Sequence, residues 1–277
     1  MNILERLRHR RIRHKLRRSP IPFALWRTVT QTIGVLQNLG AVEKARLRKL
    51  ATLFIHDKTF TGAHDFRVTD EMAVAIAAQA ALPILNLGME YYDGWIEVII
   101  YPDSFQVNHD NIDTSGIISE ETHLLSGESW LRGPVILSWQ DIERDMRPDF
   151  PGHNIVIHEF AHKLDMLNGR TNGMPPLHPR MKAWQWTKAL GTAFDILQRQ
   201  VEHHHRTRID AYAATTPAEF FAVVSEYFFA APSILCKHCP EVYQQLTQFY
   251  LQDPLIRCKC EHNRKRIQAC QNTSPLP

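Results

Sequence analysis

The segment 158–162 reads His-Glu-Phe-Ala-His, an H-E-x-x-H motif, and it limits the local fold more than any other part of the chain. Residues four apart in a helix lie one turn above each other, so a helix brings His158 and His162 to the same side. Two imidazoles placed in this way can bind one Zn²⁺ at about 2.0–2.1 Å. The apolar positions around the motif recur at helical spacing, and Gly169 follows where a helix typically ends. We therefore predict a buried helix over about 155–167 that carries a metal site.

Glu159 lies between the two histidines and would point beside them on such a helix. A carboxylate in this place can take a proton from a water molecule as the water attacks a peptide carbonyl, and can then pass the proton to the leaving amine. The motif therefore predicts zinc-dependent peptide hydrolysis with Glu159 as the general base. The alternative is an ordinary helix whose histidines bind no metal.

A zinc peptidase site needs a third protein ligand, and spacing alone leaves three carboxylates open for this place. Asp165 follows the second histidine by three residues on the same helix face, but its short side chain also suits holding an imidazole in position. Glu219 ends the segment 216–219, Thr-Pro-Ala-Glu, which is equally typical of a helix cap. Glu226 lies seven residues later on the same face, so one glutamate could bind the metal while the other supports the site.

Composition places the chain among globular proteins. Its 277 residues are 44% hydrophobic, which is enough for a large core and excludes disorder as the main state. The 32 Lys and Arg residues nearly balance the 29 Asp and Glu residues, so a uniformly basic nucleic-acid or membrane binder is not expected. Five cysteines without an apolar leader stretch do not fit a secreted disulfide scaffold. We expect a cytoplasmic protein.

The two ends of the chain differ in composition from the middle. Residues 1–20 carry a run of basic side chains, and residues 257–277 are polar, basic and cysteine-bearing. We therefore divide the chain into a basic N-terminal arm (1–20), a metallopeptidase domain (21–256) and a polar tail (257–277). Residues 6–18 of the arm could contact nucleic acid or an anionic membrane, although a solvated tail is the favoured interpretation.

The segment 72–89 carries no charged residue and is about as long as a membrane-spanning helix. Gln79, Pro83 and Asn86 interrupt it, and acidic residues flank it on both sides. These features favour a helix that is buried in a globular protein and broken near Pro83. No integral membrane segment is expected.

Hydrophobic periodicity predicts a mainly helical α+β domain with a small sheet. The expected elements are helices within 25–53 with a break near Gly40, helices at 181–203, 217–230 and 242–251, strands at 95–101 and 134–139, and an irregular linker at 169–180. The strand at 134–139 could offer its edge to an extended peptide, or it could lie inside the sheet.

Four cysteines come in two close pairs, Cys236 with Cys239 and Cys258 with Cys260. Paired thiolates are typical of a structural zinc site, so a second metal is one interpretation. Reduced cysteines without a metal are the alternative. We favour this alternative because the segment between the two pairs is expected to be helical.

Five segments together resemble the Mlc titration factor A family of bacteria. They are 101–105 (Tyr-Pro-Asp-Ser-Phe), 126–130 (Ser-Gly-Glu-Ser-Trp), 133–139, 154–169 and 210–229. The similarity extends over about residues 35–255, and the resemblance implies a gluzincin-like metallopeptidase fold related to the catalytic domain of anthrax lethal factor. The basic arm and the cysteine-bearing tail depart from the pattern of this family.

The same resemblance assigns roles to single residues. The implied zinc ligands are His158, His162 and Glu219. Glu159 is the implied general base, and Tyr212 matches the tyrosine that stabilises the oxyanion. Asp165 and Glu226 are then expected beside the ligands, where each would support an imidazole, and Glu226 could instead be the buried partner of a basic residue.

For biology, the resemblance implies two activities. One is an aminopeptidase-type hydrolysis of short peptides. The other is binding of the glucose repressor Mlc, which relieves repression of the sugar phosphotransferase system. The rival hypothesis is a regulatory protein that sequesters a transcriptional repressor and whose metal site is vestigial or structural.

Overall fold

The structure is a computed structural model that describes residues 3–103, 133–147 and 152–257. Its helices are α1 (Ile3–Arg18), α2 (Phe23–Thr32), α3 (Ala41–Asp57), α4 (Asp70–Ala80), α5 (Trp139–Asp145), α6 (Ile155–Asp165), α7 (Ala183–Glu202), α8 (Pro217–Ala230), α9 (Pro232–His238) and α10 (Pro240–Tyr250). Short 3₁₀ helices cover Gly34–Leu36, Met89–Tyr92, Met166–Asn168 and Ala211–Ala214. The mainly helical α+β architecture that the sequence predicts is confirmed.

A small parallel sheet lies beside these helices. Its strands are β1 (Thr59–Gly62), β2 (Glu97–Tyr101) and β3 (Val135–Ser138), paired in the order β1-β2-β3. Val98 is paired with Val135 and Ile100 with Leu137, and all four side chains are buried. Helix α6 packs against β3, so the sheet supports the helix that carries the H-E-x-x-H motif. Among the described residues β3 has a strand partner on one side only, which places it at an edge of the sheet.

The long apolar segment 72–89 is buried over most of its length, and its helix stops short of Pro83. Helix α4 ends at Ala80, three residues before Pro83, and the chain continues through a series of turns to Leu87. The sequence predicts a buried helix that is broken near Pro83, and the structure agrees with this prediction, because a proline disfavours helical geometry in the residue before it. No helix in the described part of the chain is long and apolar enough to cross a membrane.

An aromatic cluster joins α6 to α3 and to the segment that leads into β2. It consists of Phe54, Tyr92, Trp95 and Phe160, whose ring centroids lie 5.1–6.1 Å apart in tilted and edge-to-face pairs. Phe160 is the third residue of the H-E-x-x-H motif. The apolar side of α6 is therefore anchored in the core, and its polar side is turned the other way.

The basic arm forms a helix that contacts α3. Lys15 in α1 makes an ion pair with Asp57 at the end of α3, and both side chains are more than one-third exposed. An exposed pair of this kind contributes little to stability. Beyond Arg257 the polar tail, with Cys258 and Cys260, lies outside the described residues.

Lys58, which follows α3, is a buried lysine of the core. Its ammonium group donates hydrogen bonds to the carbonyl oxygens of Tyr92 (2.5 Å) and Trp95 (2.6 Å), and it lies 3.6 Å from the centroid of the Trp95 ring. Burial lowers the pKa of Lys58 to about 8, although the nearby carboxylates of Asp57 and Asp93 oppose this shift.

We predict that this lysine makes stability depend on pH in the alkaline range. An unfolded lysine keeps its proton up to about pH 10.5, whereas folded Lys58 releases it near pH 8, so the unfolded state binds more protons between these values. The free energy of unfolding should therefore rise with pH across this window, by at most something on the order of 3 kcal/mol. Denaturant unfolding measured along this window should show a smaller rise in Lys58→Met than in the wild type, because burial also lowers the pKa of Lys163 to about 8 and this second lysine contributes to the rise in both proteins. Parallel pH profiles for the two proteins would contradict the assignment.

Candidate metal centre

Helix α6 brings the two histidines of the motif together. Asn154 caps the helix, because its side-chain oxygen accepts a hydrogen bond from the amide of Ile157 (2.9 Å). One turn along, the Nε2 atoms of His158 and His162 lie 3.2 Å apart, and both side chains are buried. The two nitrogen atoms thus point at the same place, as the four-residue spacing predicts.

Glu219 reaches the same place from the first turn of α8. Its backbone amide donates to Oγ1 of Thr216 (3.1 Å), which caps the helix, and Pro217 occupies the first turn. Its carboxylate lies 3.1 Å from Nε2 of His158 and 3.4 Å from Nε2 of His162. Glu219 can therefore belong to the helix cap and to the site at once. Its backbone amide takes part in the cap, and its carboxylate faces the two histidines.

These three side chains fit a tetrahedral metal ion. Their nitrogen and oxygen atoms all lie within 4.8 Å of one another, and no other such group of His, Cys, Asp and Glu occurs in the described residues. Bonds of about 2.0–2.1 Å in a tetrahedron separate the ligand atoms by about 3.3 Å. The 3.2 Å between the two imidazole nitrogens matches this value, and each carboxylate oxygen of Glu219 lies 3.1 Å or 3.4 Å from one of them.

Glu226 supports the site from the middle of α8. One carboxylate oxygen lies 2.8 Å from Nδ1 of His158, and the other accepts a hydrogen bond from the amide of Asn154 (2.6 Å). Because Nδ1 is engaged in this way, His158 offers Nε2 to the metal site. Of the two glutamates that spacing could not distinguish, Glu219 faces both histidines and Glu226 lies behind one of them.

The carboxylates set the charge state of the histidine in the absence of a metal. Burial alone would lower the pKa of His158, but hydrogen bonds to Glu219 and Glu226 raise it well above its ordinary value. Burial alone would likewise raise the pKa of Glu219, whereas its contacts with His158 and His162 lower it. In the absence of a metal, the two carboxylates therefore favour the protonated form of His158.

Asp165 lies at the end of α6, and its carboxylate is hydrogen-bonded to the linker. Its carboxylate accepts a hydrogen bond from the amide of Gly173 (2.8 Å), and burial raises the pKa of this carboxyl to about 6. Gly173 has a positive φ of 73° and packs against the carbonyl of Pro217, while its own carbonyl accepts a hydrogen bond from Nε1 of Trp186 (3.0 Å). Asp165 thus holds the linker against the first turn of α8.

Glu159 and Tyr212 border the cluster. Glu159 is half-buried on α6, beside the two histidines. Tyr212 lies in the 3₁₀ helix that Asp210 caps through the Tyr212 amide (2.8 Å), and its ring centroid is 6.2 Å from that of His158. Tyr212 is 44% exposed, and burial together with the charges of Glu219 and Glu159 raises its pKa to about 12. Both side chains therefore lie at the accessible side of the cluster.

The second zinc site finds no support among the described residues. Cys236 and Cys239 are both reduced and half-buried, and they are not part of any metal-binding group there. The other pair, Cys258 and Cys260, lies outside the described residues.

Sequence reasoning missed two residues that shape the site, Asn154 and Gly173. An asparagine directly before an apolar helical run is a cap signal, so Asn154 could have been found. Nothing local marks Gly173, because its close contact with Pro217 joins positions far apart in the chain.

Comparison with known proteins agrees with this geometry. The sequence profile of the glucose-regulated metallo-peptidase M90 family matches residues 5–251, which is most of the chain. The chain belongs to this family. As an M90 member it is 41% identical over 229 residues to Mlc titration factor A of Escherichia fergusonii, which covers 82% of this chain and 86% of that protein. It is 42% identical over 230 residues to Mlc titration factor A of Yersinia pestis (strain Pestoides F), which covers 82% of this chain and 84% of that protein.

The family match includes most of the basic arm. The M90 profile begins at residue 5, so it includes most of the basic segment 1–20, which the sequence alone sets apart from the family pattern. The resemblance to Mlc titration factor A is confirmed, and a metallopeptidase-family fold is shown for the chain.

We predict that Gly173→Ala destabilises the protein by about 1–3 kcal/mol. A Cβ atom would collide with the carbonyl of Pro217, and alanine is strained at a φ of 73°. Gly191→Ala in α7 is the matched control, because a Cβ atom there meets nothing within 4 Å and alanine favours a helix. Denaturant unfolding measures both variants. Equal stability of Gly173→Ala and wild type would refute the close packing at the start of α8.

We predict that Glu226→Gln weakens metal binding at this cluster by about 10–100-fold, with Zn²⁺ as the probe. A glutamine has one acceptor oxygen for the two groups that Glu226 serves, His158 Nδ1 and the Asn154 amide. Competition with a chromophoric chelator measures the affinity. Glu241→Gln, at an exposed position of α10, is the control and should bind zinc as the wild type does. If Glu226→Gln binds the metal as tightly as the wild type does, Glu226 does not support the metal site.

Proposed function

We propose that this protein is a zinc-dependent peptidase that hydrolyses short peptides from their N-terminal end. The observation that carries the proposal is the convergence of His158, His162 and Glu219 within 4.8 Å, with Glu159 half-buried beside them. Membership of a metallopeptidase family supports hydrolysis. The aminopeptidase preference rests on the resemblance to the Mlc titration factor A family.

Zinc is the proposed metal because two imidazoles and one carboxylate are a common catalytic zinc set. When bound, zinc polarises a peptide carbonyl and makes water more acidic. His158, His162 and Glu219 would hold it, and three protein ligands leave room for a substrate.

Glu159 is the proposed proton carrier of the reaction. Its carboxylate accepts the proton of the attacking water and then donates that proton to the nitrogen of the leaving amine. Glu159 is on the same helix as two of the ligands, so α6 sets its distance to the reacting atoms. Its half-buried position gives access to a substrate.

Tyr212 is the proposed donor to the oxyanion. Its hydroxyl keeps its proton at neutral pH, since the pKa of Tyr212 is raised to about 12, and it can therefore donate a hydrogen bond to the negative oxygen as it develops. The 3₁₀ helix Ala211–Ala214 holds the backbone of this tyrosine beside α8. An extended peptide could lie along β3, which is an edge strand among the described residues.

A second function, binding of the repressor Mlc, is proposed from the relatives. The two compared proteins are named Mlc titration factor A, at 41% and 42% identity over most of this chain. Binding of Mlc would relieve repression of the sugar phosphotransferase system, and it would place the protein in the cytoplasm. In the rival version of this proposal the protein only sequesters the repressor, and the metal site is vestigial or structural.

The domain boundaries remain part of the proposal. We propose that residues 21–256 form the metallopeptidase domain, that 1–20 is an arm and that 257–277 is a tail. Contact of residues 6–18 with nucleic acid or an anionic membrane would show as binding that weakens steeply with salt and is lost when the arm is deleted.

We predict that Glu159→Gln keeps its zinc and loses activity by about 10²–10⁴-fold, because it removes the proton carrier and no ligand. A panel of amino-acid anilides and short peptides measures the rate, and metal analysis confirms equal zinc content. Glu143→Gln, at an exposed position of α5, is the control. If the variant cleaves as fast as the wild type, Glu159 is not the base. If the zinc-loaded wild type cleaves nothing while both proteins bind Mlc, the sequestering version replaces the peptidase.

A further inference from the structure

A second concave site lies away from the metal cluster, between α7, the segment 203–210 and the junction of α9 with α10. It is a cavity of about 120 Å³, and none of the three proposed metal ligands lines it. Its apolar wall is formed by Ile196, Leu197, Ile209 and Phe220. A volume of this size holds several water molecules or a short aliphatic chain.

The polar part of the lining is positively charged. Arg206 and Arg208 lie along the cavity with His238 and Gln200, and no aspartate or glutamate lines it. Both arginines are exposed, and neither makes a hydrogen bond or an ion pair with the part of the chain that the structure describes. Two guanidinium groups two residues apart repel each other, so an anion placed between them is stabilising.

The apolar and the positively charged parts of the lining together favour a ligand that has both an apolar group and a negative charge. Guanidinium groups bind a carboxylate through paired hydrogen bonds, and the aliphatic wall gains free energy when an apolar group covers it. We propose that this cavity binds a small organic anion, a carboxylate on a short aliphatic body, through Arg206 and Arg208. An inorganic anion would satisfy the arginines and leave the apolar wall in contact with water.

The walls of the cavity also adjoin the metal centre along the chain. Ile209 precedes Asp210, which caps the 3₁₀ helix that carries Tyr212, and Phe220 follows Glu219. Binding in the cavity should therefore slow hydrogen exchange of the amides at 206–213. This readout and the binding itself do not depend on peptidase activity.

The test uses 4-methylpentanoate as the probe and isothermal titration calorimetry on the full chain. The wild type should bind the probe saturably, and the variant R206A/R208A should bind it at least about tenfold more weakly, because two charge-assisted contacts are lost. R27A/R67A removes the same charge from exposed positions that do not line the cavity and should bind as the wild type does. Thermal melting checks that each variant is folded. We expect both variants to fold, because the four arginines are exposed.

A second pair of measurements separates the organic anion from a bare anion site. Ile196→Gln should weaken binding of 4-methylpentanoate, and inorganic phosphate should bind the wild type more weakly than 4-methylpentanoate does. Amide exchange with the probe should show protection at 206–213. The proposal is overturned if 4-methylpentanoate does not bind saturably, or if it binds R206A/R208A as tightly as the wild type. It is also overturned if the probe protects only amides outside 206–213. The same holds if phosphate binds the wild type as tightly as 4-methylpentanoate and Ile196→Gln does not change binding of the probe.

Discussion

The carboxylate of Glu226 joins the two helices on which the whole site depends. One oxygen faces Nδ1 of His158 and the other accepts from the amide of Asn154, so both are engaged inside the core. A buried carboxylate without such partners would cost several kcal/mol. This requirement fixes α8 against the start of α6. Glu219, two turns earlier on α8, is then carried to the Nε2 atoms of both histidines.

A second buried carboxylate places the start of α8. Asp165, at the far end of α6, holds the amide of Gly173, and Gly173 packs against the carbonyl of Pro217. Trp186 from α7 holds the carbonyl of the same glycine. Helix α8 is thus held at its first turn and at its middle, and its buried length between these points leaves Glu219 little freedom. A side chain that binds a metal needs this restriction, because the metal-binding atoms must be held close to the positions that the ion requires.

Sequence reasoning succeeded where a periodic pattern determines the structure. The helix of the H-E-x-x-H motif, the strands at 95–101 and 134–139 and the helix at 217–230 all follow from local patterns, and the structure contains them as α6, β2, β3 and α8. The choice between Glu219 and Glu226 did not follow, because two residues seven apart share one helix face and only the packing of α6 on α8 distinguishes them. The four-residue strand β1 was missed, since its pairing partner β2 is distant in the chain. The contacts that hold the site in place, such as Gly173 with Pro217 and Glu226 with Asn154, also join residues that are far apart in the chain.

Crystals of the zinc-loaded protein, measured at the zinc absorption edge, test the central claim most directly. The account predicts one anomalous peak per chain, about 2.0–2.2 Å from Nε2 of His158, Nε2 of His162 and one carboxylate oxygen of Glu219. It also predicts that Nδ1 of His158 stays on Glu226. A zinc peak at other residues, or coordination through Nδ1 of His158, would contradict the account.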